Sequence, residues 1–379
     1  MLTAGQVLQL IRQGSCRTRK DLIEFTGLSR STITDRVDRL IEAGYIHESG
    51  VGASGGGRPP SVLDVDPGKH LLLVADLGAS HARVALTDLA ARPLAEEHTE
   101  MRIQRGPEPV LTWVRQAFQR LLDESGRDPA RVTGIGIDLP GSVDYASGRM
   151  IRSFLMPGWD DHPIKDAIRR AFDVPILVDN DAKAMALGEW WSSWRRCPSL
   201  LLVKVSTGIG AGIVIDGRIY RGVDEAAGSI GHVRLRETDD RVCTCGSRGC
   251  VASLASGHAI ARALGQETSR DVVRLVQAGD PSAIALTQEA GRTLGVVLAA
   301  AVSLLNPGVV VLAGDMAETR EHYLTGIRES LYRRSLPYTT RNLKIVPSAL
   351  GARAGITGTA IMVMEHVLSP GTVDAALRQ

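Results

Sequence analysis

The first sixty residues repeat apolar positions at the period of short helices. Val7, Leu10 and Ile11 recur at i, i+3 and i+4 and predict a helix over about residues 3–13. A second helix starts at Thr18, whose hydroxyl can cap the turn, with Asp21 three residues on as its capping-box partner. Gly27 and Leu28 make a tight turn. Ser29 caps a third helix that ends at Gly44 and buries Ile33, Val37, Leu40 and Ile41. Its opposite face carries Ser31, Thr32, Asp35 and Arg39, with Thr34 and Arg36 at the edges. Residues 45–48 then read as a strand, 50–57 as a glycine-rich tip, and Arg58, Pro59 and Pro60 as a stiff return.

Near residue 71 the pattern changes. An apolar strand (71–76), a small-residue turn (78–80) and a second strand (81–87) follow one another. The same design recurs as a strand at 200–205, a glycine-rich turn at 206–212 and a return at 213–219. The pair predicts an internal duplication with a cleft between its halves. Segments 132–138, 175–179 and 309–313 read as further strands ending in polar or small residues, and ligands in such sheets bind beyond the carboxyl ends of strands. The expected organisation is a winged helix–turn–helix over residues 1–65, a first α/β lobe over 66–195 and a second over 196–379, with a C-terminal helix packing back on the first lobe.

Composition narrows the partners. A chain of 379 residues with 44% hydrophobic content is long enough for more than one domain. Net charge is only +2, and residues 1–60 hold eight Lys/Arg against six Asp/Glu. No basic field advertises nucleic acid, so local pattern must carry that argument. A helix–turn–helix lays its second helix in the major groove with residues near its N-terminus on base edges. That places Ser29, Arg30, Ser31, Thr32, Thr34, Asp35 and Arg36 at DNA, with Arg58 of the wing entering the adjacent minor groove. A three-helix protein-interaction module is the competing use of the same pattern. The N-terminus is amphipathic, and residues 294–305 are too short an apolar run to span a bilayer. A cytoplasmic, non-membrane protein is expected.

Three of the five cysteines, Cys243, Cys245 and Cys250, fall within eight positions, and His232 precedes them. Three thiolates and an imidazole form the tetrahedral set that structural zinc prefers. All four ligands are protein groups, so the site is closed and should brace a loop rather than activate water. Buried thiols beside a core histidine are the plainer alternative. Cys16 and Cys197 are isolated and read as small packed residues; a zinc–thiol redox sensor is a further reading.

The zinc motif, the turn Asp76-Leu77-Gly78-Ala79-Ser80, the run Leu139-Pro140-Gly141-Ser142-Val143-Asp144 and the run Val178-Asp179-Asn180-Asp181 together resemble the ROK family of repressors and sugar kinases. The resemblance covers about residues 68–365 and implies a duplicated actin/hexokinase-like α/β fold. The N-terminal block, with Gly56-Gly57-Arg58-Pro59-Pro60, resembles the winged helix–turn–helix that ROK repressors carry and ROK kinases lack. Family kinases use the aspartate of an Asn-Asp pair as base, which falls on Asp181 beside Asn180. Their two sugar-binding glutamates fall on Ser229 and Ala252. Their phosphate turn has glycine where this chain has Ala79, and their adenosine-side turn has glycine at Asp315. The resemblance therefore implies a regulator without catalytic residues, with Gly141, Asn180, Asp181, Ser229 and His232 as sugar contacts and zinc on His232, Cys243, Cys245 and Cys250. It implies a repressor that binds operator DNA as a dimer or tetramer and answers to a sugar or sugar derivative. An ATP-dependent sugar kinase with Asp181 as base is the alternative.

Overall fold

A computed structural model describes residues 2–51, 61–152, 156–235 and 241–378. At the N-terminus lie helices α1 (Ala4–Arg12), α2 (Arg19–Thr26) and α3 (Arg30–Glu42), followed by the antiparallel strands β1 (Ile46–Val51) and β2 (Ser61–Val65). Local chemistry sets these boundaries. Thr3 with Gln6, and Thr18 with Asp21, form reciprocal capping boxes. Gly27 ends α2 in the left-handed region at φ 68°, and the Ser29 hydroxyl accepts the Thr32 amide to start α3. Val7, Leu8, Ile11, Leu22, Ile33, Val37 and Leu40 close a small core.

Two five-stranded sheets of like topology follow. The first comprises β3 (Leu71–Leu77), β4 (His81–Asp88), β5 (Pro93–Glu100), then, after helix α4 (Pro107–Ser125), β6 (Val132–Leu139). A short hairpin, β7 (Ser142–Asp144) and β8 (Arg149–Arg152), and helix α5 (Ile164–Arg169) lead to β9 (Ile176–Asn180). Its strand order is β5-β4-β3-β6-β9. Helix α6 (Asp181–Ser193) crosses to the second sheet: β10 (Ser199–Val205), β11 (Ile209–Ile215) and β12 (Arg218–Ile219). Helices α7 (Val251–Ala255), α8 (Gly257–Ala263), α9 (Ser269–Gln277) and α10 (Pro281–Leu305) precede β13 (Val309–Ala313); α11 (Glu321–Arg334) and α12 (Pro337–Thr340) precede β14 (Lys344–Pro347). The order is β12-β11-β10-β13-β14. In each sheet an antiparallel meander flanks a parallel trio, so the duplication seen in the strand–turn–strand repeats extends to whole lobes.

The chain closes with α13 (Ala354–Val367) and α14 (Pro370–Ala376). α13 lies against β3 and β6 and packs on α6, which in turn rests on β10 and β11. This helix pair fills the space between the sheets. They cross at glycines: a Cβ on Gly358 would collide with the Ala184 carbonyl oxygen, and one on Gly188 would lie 2.6 Å from that of Ala354. α14 carries the N-terminal head. The Gly5 amide donates to Asp374 Oδ1 (2.8 Å), Gln9 Nε2 to the Leu368 carbonyl (2.5 Å) and Arg39 Nη2 to the Leu377 carbonyl (2.8 Å); Arg12 pairs with Glu365. Among the described residues no helix is long and apolar enough to cross a membrane.

Candidate functional site

The head presents Ser29, Arg30, Ser31 and Asp35 to solvent, with Thr32 and Thr34 half-buried along the same stretch of α3. The Ser29 hydroxyl ties this end together, lying 3.0 Å from that of Ser31 and 2.8 Å from that of Thr32. Arg36 differs from the other positions expected at DNA. It is only 8% exposed, turned toward α1 and α14, and its Nη1 has no partner among the described residues. Burial under the C-terminal helix withdraws it from the exposed face, which periodicity within α3 alone could not reveal. Arg58 lies outside the described residues.

Between the lobes opens a cleft of about 450 Å³. Gly141, Asn180, Asp181, Ser229 and His232, though scattered over ninety positions of sequence, all line it. So do Ala79, Ala252 and Asp315, the positions where the chain departs from a kinase pattern. Asn180 caps α6 through Oδ1, which accepts the Lys183 amide (3.2 Å), while its Nδ2 donates to the Gly141 carbonyl (2.9 Å). Asp315 is engaged by the Ser269 hydroxyl (2.5 Å), and its amide donates to Ser206 Oγ (2.9 Å).

At the cleft floor the carboxyl ends of β3, β6 and β9 bring Asp76, Asp138 and Asp179 to one register. Asp179 is claimed by Arg221 (2.6 Å). Asp138 is fully buried; Thr359 of α13 donates to its Oδ2 (2.6 Å), and its Oδ1 has no geometric partner among the described residues. Burial, then the neighbouring Asp76 charge, push Asp138 well above the usual carboxylate range. Of the pair, Asp138 is the one whose surroundings favour the protonated form. Asp76 is held below its ordinary value: burial alone would raise it, but His81, Lys204 and Asp138 outweigh that. The N-terminal turn of α13 abuts Asp76, and Gly355 leaves room for it, since a Cβ there would sit 2.6 Å from the carboxyl carbon.

Asp181 faces this cluster and is only 5% exposed. Its Oδ1 accepts the Ala182 amide (2.7 Å) and Asn180 Nδ2 (3.1 Å); its Oδ2 accepts Lys204 Nζ (2.5 Å). Lys204 comes from the end of β10 in the other sheet. Burial alone would lower its pKa, but Asp181, Asp76 and Asp138 together raise it, so it stays charged. A single lysine in an apolar strand gave no sequence signal of this role. His81, which lines the cleft with Nε2 3.9 Å from Asp76, was equally silent.

At the cleft rim, one ligand atom each from His232, Cys243, Cys245 and Cys250 lies within 4.8 Å of all the others. His232 Nδ1 is 3.6 Å from Cys243 Sγ, and Cys245 Sγ is 3.7 Å from Cys250 Sγ. Tetrahedral zinc with Zn–S bonds of about 2.3 Å would set its sulfurs about 3.8 Å apart. Burial, then the crowding of the other sulfurs, push the Cys250 thiol up to about 12. Cys245 moves the other way: burial would raise it, but hydrogen bonds from Ser247 and from its sulfur neighbours lower it; a bound cation would hold the thiols as thiolates. The cluster therefore fits a metal ion held by His232 and the three cysteines.

Comparison with known proteins agrees with this anatomy. The profile of the ROK family matches residues 73–366, and that of a winged helix-turn-helix DNA-binding domain matches residues 3–47. A xylose repressor of Caldicellulosiruptor bescii is 29% identical over 384 aligned residues, covering 96% of this chain and 95% of the repressor. A crystal structure of a ROK family transcriptional regulator, described as a homologue of the E. coli MLC protein, superposes with a TM-score of 0.81 at 28% identity, covering 99% of this chain and 98% of the other. A ROK hexokinase from Thermus thermophilus superposes with a TM-score of 0.65 at 32% identity, covering 78% of this chain and 99% of the hexokinase.

Proposed function

The chain belongs to the ROK family, and from that premise we infer that it is a sugar-responsive, DNA-binding transcriptional regulator, a repressor and not a kinase. One observation carries the reading: the helix–turn–helix head is seated on α14, which follows within two residues from the helix that touches the cleft floor. α13 meets Asp76 at Gly355 and Asp138 at Thr359. A sugar that favours one spacing of the lobes would shift α13 and, through α14, the head. Two heads of an oligomer must stand about 34–36 Å apart to enter successive major grooves, so a small shift changes operator affinity. The sugar acts only through its different affinities for the two arrangements.

In this reading the head spans residues 1–65 and the lobes divide at residue 195. Ser29, Arg30, Ser31, Thr32, Thr34 and Asp35, with Arg58, meet operator DNA. Gly141, Asn180, Asp181, Ser229 and His232 meet the sugar. His232, Cys243, Cys245 and Cys250 hold a structural zinc ion that fixes the cleft rim and orients the His232 ring; the metal supplies no reactive group. The protein works in the cytoplasm as a homodimer or homotetramer.

The test pairs two measurements on full-length, zinc-replete protein. A thermal-shift screen over mono-, amino- and oligosaccharides should find a stabilising sugar. That sugar should then release the protein from duplex DNA in a mobility-shift assay. Multiple-turnover phosphorylation of a hexose by ATP, lost in Asp181→Ala, would replace this reading with a kinase.

A further inference from the structure

We propose that Lys204 is a resident cation: its ammonium fills the carboxylate cluster at the strand ends where a divalent metal ion would otherwise be held, making the cleft a metal-independent sugar pocket. The proposal rests on the regulator reading only for what the pocket is used for; the cation chemistry stands by itself.

Consider first what the cluster would be without the lysine. Asp76, Asp138 and Asp181 converge from β3, β6 and the first turn of α6. All three are at least nine-tenths buried, and Asp138 lies against Asp76. Hard divalent cations seek just such oxygen sets, completing their shell with water. The chain instead inserts one positive charge on a flexible stem. Lys204 reaches from β10 across the lobe boundary and donates to Asp181 Oδ2. With Asn180 Nδ2 and the Ala182 amide on Oδ1, no oxygen of Asp181 is left without a donor. A metal ion or a sugar hydroxyl at Oδ2 would therefore have to share that oxygen with the lysine.

Charge leads to the same place. Burial and the Asp76 charge favour the protonated form of Asp138, which leaves the carboxylates of Asp76 and Asp181 facing one ammonium, with His81 at the Asp76 side. A divalent ion entering here would lie beside Lys204 and be repelled by it. A neutral polyol would not, and its hydroxyls could share the pair's outer lone pairs and protons. The pair also joins the lobes across the base of the cleft, so it sets their resting separation while the cleft is empty.

The experiment titrates Mn2+ into full-length, zinc-loaded protein, following free Mn2+ by EPR and Tm at matched ionic strength. Wild type and Lys204→Arg should take up no Mn2+ and show no Tm response. Lys204→Met leaves two buried carboxylates uncompensated; its Tm should fall by about 5 °C, recover with Mn2+, and be matched by uptake of one ion per chain. The double variant Lys204→Met/Asp181→Asn restores the cluster's original net charge and should regain Tm without taking up Mn2+. If the single variant folds only when Mn2+ is present from the start, the proposal is supported; if neither it nor the double variant folds under any condition, the role is packing and the proposal falls. Mn2+ uptake by wild type that Asp181→Asn abolishes would also overturn it. Duplex binding by the same proteins tests the regulator reading separately: a wild type that excludes Mn2+ yet binds no specific DNA would sink that reading alone.

Discussion

Gly5 in the first helix lies flush against the backbone of Pro370 in the last: a Cβ on Gly5 would collide with the Pro370 carbonyl oxygen and α-carbon. The two ends of a 379-residue chain thus meet at a point that tolerates no side chain. Gly5→Val should push α1 off α14 at a cost of about 1–3 kcal/mol to docking. The expected outcome is faster proteolysis between head and body and weakened release of DNA by the sugar, with DNA affinity itself largely kept. Limited proteolysis and mobility shifts with and without sugar would check it. Unchanged release would mean that the seat does not transmit the signal.

The His232/Cys243/Cys245/Cys250 cluster predicts a stoichiometry. Elemental analysis of purified protein should give one zinc per chain. Cys245→Ser should lose most of it and lower Tm by about 5 °C or more. Because Cys243 and His232 also line the cleft, sugar binding should weaken with it. Full zinc content in Cys245→Ser would refute the ligand set.

Exposed positions of α3 should govern sequence preference. Replacing Ser31 or Thr32 should alter discrimination between operator variants by about 1–3 kcal/mol per base pair read, with little change in nonspecific affinity. Competition binding over a randomised operator would measure this. A chain lacking residues 1–65 should bind no specific duplex.

Asp138 makes a pH signature. Its folded pKa is raised, so the folded state keeps a proton that the unfolded chain gives up near its ordinary value of about 3.9. Its contribution to stability is complete below that value and is lost as pH rises toward the folded pKa. Asp138→Asn mimics the protonated form: one end can accept from Thr359 and the other donate to Asp76. The stability of the variant relative to wild type should therefore rise between pH 4 and pH 7. Denaturant titrations at both pH values test this, and a constant difference would show that Asp138 is ionised in the folded protein.

What the sequence disclosed, and what it hid, follows the range of each interaction. The Val7/Leu10/Ile11 period and the capping box at Thr18 are closed within four residues, so the head's first two helices were legible. The metal cluster was legible because its ligands lie within nineteen positions and thiol chemistry is distinctive. Positions 141, 180, 181, 229 and 232 were gathered only through family resemblance, and the cleft does bring them together. Lys204 was invisible: it sits in an apolar strand, and its partner belongs to the other lobe. Arg36, read at the edge of the exposed face and assigned to DNA, is buried because an element that covers it, α14, lies more than three hundred residues away. In both cases the deciding charge or surface came from a distant segment, which no local period encodes.

The seat of the head separates two properties that an engineer would want to vary independently. Of the α3 residues, Arg36 is buried toward α14 and Arg39 donates to the Leu377 carbonyl, so both are committed to docking. Ser29, Arg30 and Ser31 remain exposed and do not line the groove between α3 and α14. Operator choice can thus be rewritten at the latter positions without disturbing the mechanical link. A foreign head could be grafted if it brings a glycine at position 5 and a guanidinium at position 39. The identity of the sugar and the identity of the regulated gene then become separate, interchangeable parts of one switch.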